Sequence, residues 1–177
     1  TVFDRVEIKT TLANKGGTSF FYPYKEKVLY KGNAEVKNGL FTFDFVIPKD
    51  ISFAMDSTAR ISLYAMSDVN DATGYLDELN IGGRDPNAVN DGTGPDVNVY
   101  LNDENFVFGG YTNDTPILVA SIFDENGINT VGTGIGHDIT VVLDGDESNA
   151  IVLNDFYESD LNTFKSGRVQ YQFDKLE

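Results

Sequence analysis

His137 is the only histidine of the chain, and Asp138 follows it in the run Gly132-Thr133-Gly134-Ile135-Gly136-His137-Asp138. A histidine beside a carboxylate is a pairing that general acid–base chemistry uses. Neighbours in a strand point to opposite faces, so adjacency alone does not bring imidazole and carboxylate together. The chain has no cysteine, and no serine stands in a nucleophile-elbow setting. No nucleophile is therefore present to complete a triad. His137 is expected to be structural, hydrogen-bonding backbone near the start of a strand. The spacing of Gly132, Gly134 and Gly136 has some likeness to a phosphate-cradling loop, but such a loop leads into a helix. Here the alternation of Ile139, Val141 and Leu143 signals a strand, and positive φ is the expected reason for the glycines. The catalytic residues expected in this chain are none.

Two acidic stretches have oxygen ligands at loop spacing. One is Asp68-Val69-Asn70-Asp71, with Asp77 and Glu78 beyond it. The other is Asp144, Asp146 and Ser148, with Asp155 at the twelfth position. Calcium takes six to eight oxygens, and an EF-hand loop requires glycine at its sixth position. Asn149 stands there instead. Solvated turns are the plainer expectation. Asp68, Asn70, Asp144 and Asp146 remain the metal candidates, and calcium is the one cofactor considered. Carboxylates are too abundant for any pair to stand out as a glycosidase pair.

Composition narrows the classes further. The formal net charge is −15, from 13 basic and 28 acidic residues. Phosphate backbones and anionic membranes both select basic patches, so nucleic acid and membrane surfaces are not expected partners. Without cysteine, disulfides and thiolate metal sites are excluded. No signal peptide and no apolar run of spanning length is present, so an export signal, if there is one, lies outside this sequence. The residues are 41% hydrophobic, and the aromatic ones are all Phe and Tyr. That is enough for a core, and it favours sheet.

Period-two patterns dominate, and helical periodicity is nearly absent. In 40–48, Phe41, Phe43, Phe45 and Ile47 share one face, after the turn signal Asn38-Gly39 and before Pro48. Residues 28–31 and 34–37 supply the preceding strand material. Residues 59–66 alternate through Ile61, Leu63 and Ala65, and 74–81 follow. In the second half, Val97, Val99 and Leu101 share a face. Residues 117–123 are apolar on both faces, as a central strand requires. Val169, Tyr171 and Phe173 alternate with polar neighbours, and Asp144-Gly145-Asp146 is a turn. Only 155–164 could hold a short helical turn. The fold class expected is all-β: two consecutive β-sandwich domains, immunoglobulin-like or jelly-roll-like. They span 1–83 and 95–177, with a Gly/Asn/Asp/Pro linker over 84–94. Core candidates are Phe41, Phe43, Phe45, Ile61, Leu63, Val119, Ile139, Val141 and Leu143, and Phe43→Asp should unfold the first domain.

An ordered series of phrases adds to this. It begins with Thr10-Thr11-Leu12-Ala13-Asn14, Leu29-Tyr30-Lys31-Gly32 and Phe41-Thr42-Phe43-Asp44-Phe45-Val46-Ile47-Pro48. It continues with Ile61-Ser62-Leu63-Tyr64-Ala65, Tyr100-Leu101-Asn102-Asp103-Glu104-Asn105-Phe106 and Phe123-Asp124-Glu125-Asn126-Gly127-Ile128-Asn129. It ends with Gly132 to Ile139, Val142-Leu143-Asp144-Gly145 and Val152-Leu153-Asn154-Asp155-Phe156-Tyr157. Together these resemble the C-terminal β-rich region of the type IX secretion system sortase, a gingipain-like cysteine peptidase family of the Bacteroidetes outer surface. The resemblance implies an accessory region whose Cys–His pair belongs to an upstream domain. No catalytic residue carries over to this chain. The parent would remove C-terminal sorting domains from cargo on the extracellular face of the outer membrane. The implied partners are the upstream peptidase domain, the secretion machinery and secreted cargo. Thr1-Val2-Phe3-Asp4 is similar to the tail of a family strand, and the family continues past Leu176-Glu177. Incomplete sheets, or a strand supplied by a neighbouring molecule, are therefore expected.

The alternative is an independent extracellular module that binds glycans or protein, stabilised by calcium. Phe20-Phe21-Tyr22-Pro23-Tyr24 and Phe108-Gly109-Gly110-Tyr111 would supply its stacking surfaces. A purely structural spacer is the third reading.

Overall fold

The computed structural model describes residues 1–25, 27–48, 51, 58–82, 85–87, 92–131 and 138–176. His137 and the glycines at 132, 134 and 136 lie outside the described residues, as do Gly83, Arg84 and Glu177 at the expected domain limits. The described chain is all-β, with helical structure confined to 3-10 turns at Glu147–Asn149 and Asn154–Phe156. Among the described residues, no helix is long and apolar enough to cross a membrane.

In the first half, β1 (Val2–Phe3), β4 (Val28–Tyr30), β5 (Ala59–Met66) and β6 (Asp71–Leu79) form an antiparallel sheet in the order β4-β1-β5-β6. A separate ribbon pairs β2 (Glu7–Thr10) with β3 (Phe21–Tyr24). In the second half, β7 (Asp96–Leu101), β8 (Ile117–Phe123), β11 (Tyr157–Ser159) and β12 (Ser166–Gln172) form an antiparallel sheet in the order β11-β12-β8-β7. A short hairpin of β9 (Thr140–Val141) and β10 (Ile151–Val152) lies over this sheet, with Ile139, Val141 and Ile151 packed on its core, so the arrangement is sandwich-like.

The central position of β8 explains its sequence. Paired on both edges and covered on both faces, it buries Leu118, Val119, Ala120 and Ile122. Val169 and Phe173 are buried as their alternation predicts. The expected turns also form: Asn38 and Gly39, and Asp144 and Gly145, all take the positive φ that a tight hairpin turn needs.

Several expectations are corrected. Residues 40–48 are not a ladder strand. The Asn38-Gly39 turn closes a single bridge between Lys37 and Leu40, and the chain then leaves the ladder. No partner strand forms over 34–37, because its backbone is engaged elsewhere: the Glu35 N–H donates to Asn162 Oδ1 at 2.9 Å. Phe43 and Phe45 are held by ring stacking instead, at 6.1 and 5.2 Å from the Tyr30 ring. Phe41 and Ile47 stay exposed. Leu143 is also exposed: it lies past the end of β9, in the turn of the β9–β10 connection where its carbonyl accepts the Asp146 N–H. The helical turn expected in 155–164 is limited to Asn154–Phe156, and β11 follows at once.

The two halves touch through named groups. Val131 is buried among Val2, Leu29 and Ile51. The Ser159 hydroxyl donates to the Lys31 carbonyl at 2.9 Å, and the Asn162 N–H donates to the Asn33 carbonyl at 2.9 Å. Asn162 has φ +60°, a conformation asparagine tolerates and alanine resists. Asn162→Ala should cost about 1–2 kcal/mol through the lost acceptor and this strain. Thermal unfolding checks it: a midpoint lowered by several degrees is expected, and Asn162→Gly should fall by less.

Tyr157 is buried at the core of the second sheet, and its hydroxyl has no hydrogen-bond partner among the described residues. Burial pushes its ionisation well up, with Asp160 and Tyr30 adding to the rise. The folded state therefore holds this proton more tightly than the unfolded state. Stability from this group is intact below the ordinary tyrosine range, about pH 10, and declines above it. Tyr157→Phe should be neutral or stabilising at pH 7 and should flatten that alkaline decline, as read by chemical denaturation across pH.

Candidate functional site

Among the described residues, no three or more His, Asp or Glu side chains gather closely enough to hold a metal. Asp68 and Asn70 sit in the turn between β5 and β6, where the Ser67 Oγ accepts the N–H groups of Val69 and Asn70. Asp77 and Glu78 lie far down β6, about 20 Å from Asp71 at strand rise. Asp144 occupies the hairpin turn. Asp146 caps the first 3-10 turn: it accepts from Ser148 Oγ at 2.5 Å and from Asn149 Nδ2 at 2.6 Å. These two hydrogen bonds lower its ionisation. Asp155 is in the second 3-10 turn.

The aromatic stretches behave differently from one another. Tyr22 and Tyr24 are half-buried on β3, whereas Phe20 and Phe21 are exposed. The Phe20–Tyr22 and Tyr22–Tyr24 planes meet at 57° and 81°, so the three rings do not share a plane. Phe108 and Tyr111 project fully into solvent.

An apolar groove of about 470 Å³ lies in the second half. Leu118, Ala120, Ile122 and Leu153 form its floor, Ile139 and Val141 one wall, and Val97 and Val99 the other. The register explains the floor: Val97 faces Ile122, Val99 faces Ala120 and Leu101 faces Leu118, which puts all six on one face of the sheet. The β9–β10 hairpin covers only part of this face. Val169 on β12 is 0% exposed and Ala120 on β8 is 7% exposed, whereas Val97 and Val99 on β7 reach 52% and 59%. The inner face was legible from alternation, but the incomplete cover was not.

Asn154 fixes the hairpin wall. Its Oδ1 accepts the Ile139 N–H at 2.7 Å, and its Nδ2 donates to the Thr130 carbonyl at 3.0 Å and to Asp138 Oδ1 at 3.2 Å. Among the described residues, Asp138 and Asp124 are the charged groups of the groove, and no basic residue lines it.

No protein-family model matches the chain, and no curated protein matches it. Among solved structures it is similar to the crystal structure of dimeric latent PorU from Porphyromonas gingivalis, with 30% sequence identity and a TM-score of 0.48. That match covers 100% of this chain and 17% of the PorU chain.

Two features escaped the sequence reading. One is the β2–β3 pairing that carries the 20–24 aromatic stretch and leaves Ile8, Leu12, Phe20 and Phe21 in solvent. Pro23 opposite Ile8 disguised it, since proline inside a run argues against a strand. The other is the free edge of β7, which no local signal reveals.

Proposed function

We propose that this chain is a non-catalytic accessory β region of a surface gingipain-like cysteine peptidase resembling the type IX secretion sortase. It packs on the upstream peptidase domain at the extracellular face of the outer membrane. The ordered phrases quoted above support this reading. The observation that carries it is apolar surface left open on separate sheets: Ile8, Leu12 and Phe21 on and beside the ribbon, and Val97 and Val99 on β7. Scattered apolar residues are normal on any surface, but contiguous apolar faces mark interaction sites. A scaffold buries such faces against the body it supports. Without a cysteine, the chain supplies no cysteine nucleophile, in keeping with a role of holding and presenting.

Hydrogen exchange tests this. Adding the separately expressed peptidase domain should slow exchange in 7–24, 96–101 or both. Unchanged exchange in both segments at saturating concentration would overturn the reading.

A further inference from the structure

The outer edge of β7 has a defined hydrogen-bonding register. The Asn102 N–H donates to the Ile117 carbonyl at 2.7 Å, which marks that pair as hydrogen-bonded. Alternation along an antiparallel ladder then turns the backbone groups of Asp96, Asn98 and Tyr100 toward β8, and those of Val97 and Val99 away from it. β7 is the terminal strand of its sheet, so among the described residues no strand takes up the Val97 and Val99 N–H and C=O groups. The side chains of these two residues form the open wall of the groove. An unpaired edge and an uncovered apolar trough therefore lie side by side, the arrangement that strand addition uses.

Charge selects the occupant. Among the described residues the groove carries Asp124 and Asp138 and no cation, on a chain of net charge −15. A second copy would bring the same carboxylates and the same net charge to the contact, and repulsion works against that pairing. We propose that an extended partner segment, apolar at alternate positions and carrying lysine or arginine at its ends, adds as a fifth strand along β7. Its inward side chains pack beside Val97 and Val99 at the groove, and its cationic charge is drawn by Asp124 and Asp138. This deepens the accessory-region reading by naming the chemistry of one docked partner.

The probe is a fluorescein-labelled peptide, Lys-Val-Thr-Val-Ser-Val-Thr-Val-Lys, titrated with the whole chain by fluorescence anisotropy. A second peptide has glutamate at both ends. Two variants accompany them. Val99→Pro removes the outward donor while leaving the β8 ladder intact, because the Val99 N–H does not serve it. The double change Asp124→Asn with Asp138→Asn keeps both hydrogen-bond acceptors and removes both charges, so it tests the proposal even if the proline variant fails to fold. The proposal expects saturable binding of the basic peptide, with affinity falling about tenfold in Val99→Pro. It also expects a loss of about threefold or more in the double variant at low salt, disappearing at high salt. Failure of the basic peptide to bind overturns the proposal. So does equal binding of the acidic peptide, or sedimentation showing that the chain dimerises through the β7 edge. Because these titrations contain no peptidase domain, they fail or succeed separately from the hydrogen-exchange test above.

Discussion

Gly167→Val should lower the melting midpoint by about 10 °C, corresponding to about 3 kcal/mol at this chain length. The cause is steric rather than conformational. Gly167 lies on β12 opposite Ser159, and the Tyr157 ring packs over it. A Cβ at this position would meet the Tyr157 hydroxyl and would come within 2.5 Å of the Glu158 carbonyl oxygen. The second contact is with backbone of the neighbouring strand, so it cannot be relieved by a rotamer change. Tyr157 is buried in the same cluster as Leu153 and Val169, so displacing it disturbs the whole floor of the second sheet. Gly167→Ala should cost less than Gly167→Val but still more than a surface change. Pairing Gly167→Val with Tyr157→Ala should be less than additive, since the smaller side chain removes one of the two collisions. Differential scanning fluorimetry on these three variants and on Tyr157→Ala alone is sufficient. A valine variant melting within 2 °C of the parent, roughly the scatter of neutral surface changes, would refute the packing described.

Leu153→Ala should cost about 3 kcal/mol, near the low end for a buried leucine because the adjoining groove lets water reach part of the vacated space. Leu153 is 1% exposed and sits between the sheet and the hairpin. Its N–H donates to the Ile139 carbonyl at 2.7 Å, which pins the hairpin wall to the floor. Leu143→Ala, ten residues earlier, should change stability by no more than about 0.5 kcal/mol, because Leu143 is already open to solvent. Urea denaturation of the two variants decides the order. Alternation alone predicts the reverse, since it placed Leu143 inside and did not single out Leu153.

That reversal shows where the sequence was legible. β8 and β12 were readable because each pairs over its whole length: the continuous apolar run of β8 matches burial on both faces, and the period two of β12 matches alternating burial. The segment 40–48 has the same pattern, but its hairpin partner is drawn away by Asn162, more than a hundred residues later in the chain. Local alternation cannot register such a competitor. Leu153 lies one residue before a 3-10 turn, where neither a strand nor a helical period applies. The acidic loops looked like candidate ligand sets because spacing was all that could be read. In the structure, Asp146 faces Ser148 and Asn149, while the β6 carboxylates are carried away from the Asp68 turn by strand rise. At the groove, the face shared by Val97 and Val99 was visible from sequence. Its missing cover depends on how far the β9–β10 hairpin reaches, which is a matter of tertiary geometry.

The central claim is that this region is a docked accessory unit, and calorimetric titration of the chain with the separately expressed peptidase domain tests it most directly. The account predicts saturable binding at micromolar affinity or tighter, with a negative heat-capacity change from burying the apolar faces of the ribbon and of β7. No heat of binding at any temperature, with both proteins folded, would contradict it and would instead favour an autonomous module that binds its ligand unaided.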